Sequence, residues 1–175
     1  MGRELALQAF RLGAEVTVVH NGKIPCVRNI NVETAGEMRD AVHRICSEGV
    51  LDFYISAAAI SDYAPPYHKG KLRSGQNLTL ALRPLPKLID EVMARYRVPV
   101  IAFKLGEEEE EKAEALIGKG VSLVVINGPQ TMGSMTTDAV IAGVSGREHL
   151  KGTKRELAER IWERVLSQSG ERKEG

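Results

Sequence analysis

Cysteine is almost absent from this chain, and what there is has no pattern. Cys26 and Cys46 are the only two in 175 residues, they form no CxxC pair, and neither has a histidine beside it. A disulfide framework and a thiolate metal site are therefore not expected, and both read as reduced structural thiols. His20, His43, His68 and His149 are scattered without metal-ligand spacing. An excess of one charge is also missing: 24 Lys and Arg stand against 23 Asp and Glu, a formal net charge of +1. No basic field calls for nucleic acid, and no acidic tail calls for a basic partner. Long apolar runs are lacking too. Nothing approaches the roughly 20 residues that span a bilayer, and no charged-then-apolar leader precedes a small-residue cleavage site. A soluble, cytoplasmic protein with no membrane partner is expected. There is no internal repeat or low-complexity linker, and the length suits one substantial core better than two. A single domain over residues 1–175 follows.

What is present is an alternation of helical and strand patterns. Leu5, Ala9 and Leu12 recur at helical spacing until Gly13, which predicts a helix from the first residue. Residues 15–20 read as a short buried strand and 27–32 as a candidate strand, and Thr34 is placed to cap a helix over 35–48. The apolar run 50–55 reads as a buried strand. Leu78, Leu80 and Leu82 alternate with Thr79, Ala81 and Arg83, the period of a half-exposed hairpin strand whose turn is 74–77. A helix over 87–96, a strand over 99–103, a helix beginning in the glutamate run 107–111, a strand over 122–126 and a final strand over 138–144 follow. Consecutive glutamates point around a helix without converging, so that run reads as a solvated first turn and not as a metal site. Thr153 and Glu156 form a capping box ahead of a helix carrying Leu157, Ile161, Trp162 and Val165 on one face. This order predicts an α/β fold: a three-layer, doubly wound, mostly parallel Rossmann-like sheet with a protruding hairpin.

The stretch that organises the chain begins after residue 55. Ala57-Ala58-Ala59 lets another molecule approach the backbone, Asp62 supplies one carboxylate, Pro65-Pro66 stiffens the exit, and Lys69-Gly70-Lys71-Leu72-Arg73 returns positive charge. At the carboxyl end of a parallel strand this layout suits an anionic ligand; a sharp turn followed by a solvated basic hairpin is the structural alternative. A nicotinamide site is not expected. Gly2 is the only trace of a glycine-rich turn, and the strand that should end in an acidic ribose ligand ends in His20-Asn21.

Ala57 to Tyr63, followed by Lys71-Leu72-Arg73, Leu78-Thr79-Leu80, Phe103, the strand ending in Asn127, and Thr153-Lys154 onward, resembles the phosphopantothenate-cysteine ligases over nearly the whole chain. The resemblance implies activation of 4'-phosphopantothenate by CTP, or by ATP as in eukaryotic members, with Mg2+ on the phosphates. An acyl-nucleotidyl intermediate is then attacked by cysteine. By position, Lys71 would stabilise the phosphates, Ala58 and Asp62 would line the nucleotide site, Pro86 would stand at the family's Asn-Pro pair, Phe103 would pack beside the nucleotide, and Lys119 would be a second cation. A homodimer through the 69–84 hairpin and a flavin-dependent decarboxylase partner domain are implied as well. A non-catalytic nucleotide-binding or subunit-assembly protein of the same fold is the alternative, and a nicotinamide-dependent reductase a weaker one.

The pattern departs from the family in several places. Ala115 stands where a lysine is usual, Phe103-Lys104-Leu105-Gly106-Glu107 replaces Phe-Ala-Ala-Glu-Thr, Leu85 precedes Pro86 in place of asparagine, and Gly128 follows Asn127 in place of aspartate. The first strand, the glycine-rich turn and most of an asparagine-bearing loop have no counterpart; Met1-Gly2 matches only the loop's last two residues. A gene product that starts further upstream is the expectation, since a sheet without its central strand leaves backbone groups unpaired, at about 1–3 kcal/mol for each one buried.

Overall fold

A computed structural model describes residues 1–66, 69–70, 75, 77–106, 110–131 and 133–171. The amino-terminal part forms α1 (Gly2–Arg11), β1 (Thr17–His20), β2 (Arg28–Asn31) and α2 (Ala35–Glu48). α2 starts where its cap predicts. Thr34 Oγ1 accepts the Glu37 N–H at 3.1 Å, and the Glu37 carboxylate accepts the Thr34 N–H at 3.2 Å, so two otherwise orphaned donors are satisfied reciprocally. Then follow β3 (Tyr54–Ser56), β4 (Tyr63–Ala64), β5 (Arg83–Pro84), α3 (Leu88–Arg95), β6 (Val100–Leu105), α4 (Glu110–Gly118), β7 (Leu123–Asn127), a 3-10 turn at Pro129–Thr131, β8 (Thr136–Gly143), β9 (Gly146–Thr153) and α5 (Lys154–Glu171).

The main sheet runs β3-β6-β7-β8-β9. β3, β6 and β7 are mutually parallel, whereas β8 and β9 are antiparallel additions. β1 and β2 form a separate parallel pair and β4 and β5 a short antiparallel one. The α/β, three-layer reading holds, with a mixed sheet. Alternate residues of the central strands face opposite layers. Ile101, Leu123, Val125 and Ile141 pack with Leu5 of α1 and with Leu157, Ile161 and Trp162 of α5, and Trp162 Nε1 donates to the Leu5 carbonyl at 3.0 Å in the buried interior. Val100, Ala102, Val124 and Ile126 face Ala113 of α4 on the other side, beside a smaller cluster of Val42, Leu88 and Val92 that joins α2 to α3.

α2 and α3 are also clamped by polar groups. Arg39 donates to both Glu91 oxygens, at 2.7 and 2.9 Å, and His43 Nε2 lies 3.1 Å from Glu91 Oε2. These contacts, Arg39 foremost, pull the Glu91 carboxyl from its ordinary 4.5 down to about 2.

Three strand expectations need correction. The run 50–55 is not one buried strand: Gly49 ends α2, Val50 is 100 % exposed, and pairing begins only at Tyr54, on an edge strand of intermediate burial. The leucine alternation at 78–82 forms no strand; only Arg83–Pro84 pairs, and Leu78, Leu80 and Leu82 are each more than half exposed. A two-stranded ribbon offers such leucines no face to pack on. Part of the expected turn at 74–77 and the first glutamates of 107–111 lie outside the described residues. The strand over 138–144 is not the last: β9 follows it, pairing from Gly146 opposite Gly143 to Thr153 opposite Thr136. The Thr153 capping box and the buried face of α5 are as expected.

Candidate functional site

The parallel strands β3, β6 and β7 end side by side, with Ser56 opposite Ala102 and Leu105 opposite Asn127. In such a sheet the carboxyl ends of the parallel strands are the usual ligand position. After β3 the chain turns sharply, the Ile60 N–H donating to the Ala58 carbonyl at 3.1 Å. Ser61 Oγ donates to the Tyr63 carbonyl at 2.7 Å and accepts the Tyr63 N–H at 3.3 Å, a local serine turn that holds Asp62 at its tip. The Leu85 N–H then donates to the Asp62 carbonyl at 2.8 Å, continuing the β4–β5 ladder by one step. Asp62 and Leu85-Pro86, 23 positions apart in sequence, thus meet beyond the carboxyl end of β3. Ala58, Asp62 and Pro86 are all exposed there.

The other expected residues are placed differently. Phe103, near the end of β6, is half-buried and packs against the core on the α1–α5 face. Lys119 is exposed just after α4, with its Nζ 3.7 Å from Asp90 Oδ1 on the first turn of α3; an ion pair this open contributes little to stability and leaves the ammonium available. Lys71 lies outside the described residues.

One part of the crevice was not anticipated. The Gly106 N–H donates to the Asn127 carbonyl, Asn127 Oδ1 accepts the buried Thr137 hydroxyl at 3.1 Å, and Thr131 Oγ1 donates to the Gly128 carbonyl at 2.7 Å. At Gly128, where the related ligases carry aspartate, the space of a Cβ is taken by the Gln130 carboxamide. A polar side chain therefore occupies that point through a residue two positions on. The Asn127-Gly128-Pro129 turn signal marked the place, but only the folded turn brings Gln130 back.

Among the described residues no group of three or more His, Cys, Asp or Glu could hold a metal ion.

The family described as DNA/pantothenate metabolism flavoprotein C-terminal domain matches residues 1–168. The chain belongs to this family. It is similar to the coenzyme A biosynthesis bifunctional protein CoaBC of Thermococcus kodakarensis, 37 % identical over 177 residues, covering 94 % of this chain and 44 % of the relative. The chain thus spans under half the length of the curated relatives it matches. Among solved structures it resembles the C-terminal domain of a CoaBC protein, with a TM-score of 0.76, 22 % identity and coverage of 97 % of this chain and 82 % of the other. It also resembles a Cab2 mutant in complex with phosphopantothenate-cysteine, with a TM-score of 0.77, 17 % identity and coverage of 97 % and 77 %. At these identities the structures speak for the fold alone.

Proposed function

We propose that the chain performs the ligation step of coenzyme A biosynthesis, joining 4'-phosphopantothenate to cysteine at the expense of a nucleoside triphosphate. In the first half, a carboxylate oxygen of the substrate attacks the α-phosphorus and the bond to pyrophosphate breaks, leaving an acyl-nucleotidyl mixed anhydride. In the second, the cysteine amine attacks the acyl carbon and loses a proton, the nucleoside monophosphate departs, and an amide remains. The reactants of the first half are both anions, so the site must supply positive charge and hold them in line. Lys71 is assigned to the phosphates and to the charge that develops on them, and Lys119 to the same region. Ala58, Asp62 and Pro86 form the nucleotide wall, with Phe103 behind it. CTP is the proposed nucleotide and ATP the alternative; Mg2+ would travel on the phosphates. The enzyme is read as one ligase-like domain over residues 1–175, a cytoplasmic homodimer joined through the exposed Leu78, Leu80 and Leu82 of the 69–84 segment, working with a flavin-dependent decarboxylase domain.

The observation that supports this reading is the family match over residues 1–168, together with a relative named for coenzyme A biosynthesis at 37 % identity. The test is pyrophosphate release by the purified protein with CTP or ATP, with and without 4'-phosphopantothenate. Release should require that substrate, and Lys71→Ala should lower it on the order of 100-fold while leaving the fold intact. Release without phosphopantothenate, or undiminished release in Lys71→Ala, overturns the assignment.

A further inference from the structure

β7 ends in a turn whose backbone is pinned on both sides. The Gly128 N–H donates to the Asp138 carbonyl at 3.1 Å, and the Gly128 carbonyl accepts both the Thr131 N–H at 3.1 Å and the Thr131 hydroxyl at 2.7 Å. Thr131 is buried, and the Gly106 N–H, just past β6, ties down the Asn127 carbonyl at 3.1 Å. Gly128 has no positive φ, so the turn does not call for glycine on conformational grounds. Space does. A Cβ on Gly128 would stand 2.6 Å from Gln130 Oε1 and 2.7 Å from its Cδ, with Nε2 nearer still, and at such distances one of the two groups must move. The Gln130 carboxamide thus rests over the α-carbon of Gly128. The two residues are a matched pair: glycine makes the seat and glutamine fills it.

Hydrogen-bond inventory decides what this pair presents. Gln130 is exposed, and among the described residues no group hydrogen-bonds its carboxamide. Folded over the turn, its two N–H donors and its acceptor oxygen stand at the carboxyl end of a parallel strand, the usual ligand position. Asn127 Oδ1 is taken by the buried Thr137 hydroxyl at 3.1 Å, which leaves the Asn127 amide nitrogen as the turn's other donor. A carboxylate at position 128, as the related ligases carry, would only accept and would bring one negative charge. This turn instead offers uncharged amide N–H groups, which suit the acceptor oxygens of an anion.

We infer that Gln130, seated by Gly128, donates from its amide nitrogen to a non-bridging phosphate oxygen of the nucleoside triphosphate and so sets nucleotide affinity. The inference rests on the ligase reading for the class of ligand and goes beyond it in assigning a residue outside the set named there. A hydrogen bond to a charged oxygen is worth about 10- to 100-fold in affinity. A carboxylate of the same shape in its place loses the donor and adds a like charge.

The experiment measures the Kd for CTP and for ATP by calorimetry, without 4'-phosphopantothenate, beside kcat and KM for pyrophosphate release. Gln130→Glu, which is nearly isosteric, should weaken the preferred nucleotide by about tenfold or more and raise its KM to match, with kcat changed less than about threefold. That loss should shrink as ionic strength rises. Gln130→Ala should weaken binding about five- to tenfold. Gly128→Ala should act like Gln130→Ala, because the far end of a flexible side chain gives way before the turn does, and the double substitution should be no weaker than either single one. The proposal falls if Gln130→Glu binds as the parent does, or if its loss is indifferent to salt, as a ribose or purely structural contact would make it. It also falls if the Gly128→Ala and Gln130→Ala losses multiply. Binding that responds to Gln130 in this way, in a protein that releases no pyrophosphate, sinks the ligase reading alone; a parent that binds neither nucleotide overturns both.

Discussion

β1 and β7 are both valine-rich parallel strands, yet they are buried very differently. Val124 and Val125 of β7 are wholly inaccessible, whereas all four residues of β1, including Val18 and Val19, are only partly buried. Sequence character does not separate them. β7 has β6 on one side, β8 on the other and a helical layer on each face, while among the described residues β1 pairs only with β2 and lines a cleft. The comparison teaches that burial of a strand is a property of its neighbours, and that apolar content alone allows but does not deliver it.

The sharpest way to test this is one chemical change in both places. Val125→Ala should cost about 2–3 kcal/mol, from roughly 0.8 kcal/mol per buried methylene equivalent plus the cavity left behind, and Val18→Ala less than about 1 kcal/mol; urea unfolding of the two variants measures both. Equal losses would mean that β1 is as well packed as β7. A smaller effect is expected where α1 meets α5. Trp162→Phe removes the donor to the Leu5 carbonyl and part of the edge contact with Phe53, which should cost about 1–2 kcal/mol, read from the denaturation midpoint. On the cleft side, Thr34→Ala deletes the cap of α2 and should cost about 1 kcal/mol, seen as faster amide exchange in its first turn.

A further effect concerns pH. Because the folded state lowers the pKa of Glu91 from 4.5 to about 2, its stabilisation of the α2–α3 contact is complete above about 4.5 and is lost as pH falls toward 2. Glu91→Gln should therefore be less stable than the parent at neutral pH, and the difference should shrink across that window in acid titrations of the Tm. A difference that stayed constant from neutral pH down to 2 would show that the carboxylate is not what holds the two helices.

Much of the fold was legible in the chain because its signals are local. Thr34 and Glu37, or Thr153 and Glu156, are three residues apart and announce a helix start by themselves; Leu157, Ile161, Trp162 and Val165 mark a helix face by spacing. β9 was missed because Gly146–Thr153 is largely polar, an outer strand with one face to solvent, and its partner is supplied by β8. The leucines at 78, 80 and 82 carried a strand pattern with no surface to bury it against.

The candidate site divides the same way. The alanine run and Asp62 were visible because small residues followed by a carboxylate after an apolar run have a meaning at any strand end. That Asp62 meets Leu85-Pro86, that Phe103 packs into the α1–α5 core, and that Gln130 fills the space above Gly128 were decided only by tertiary structure. Each depends on segments that come together through sheet order and turn geometry. The sequence by itself determined the helices, the caps and the small residues at the crevice, all short-range preferences of the backbone and of side-chain periodicity. Which strands share a sheet and which are buried are set by long-range pairing, and no local spacing encodes that.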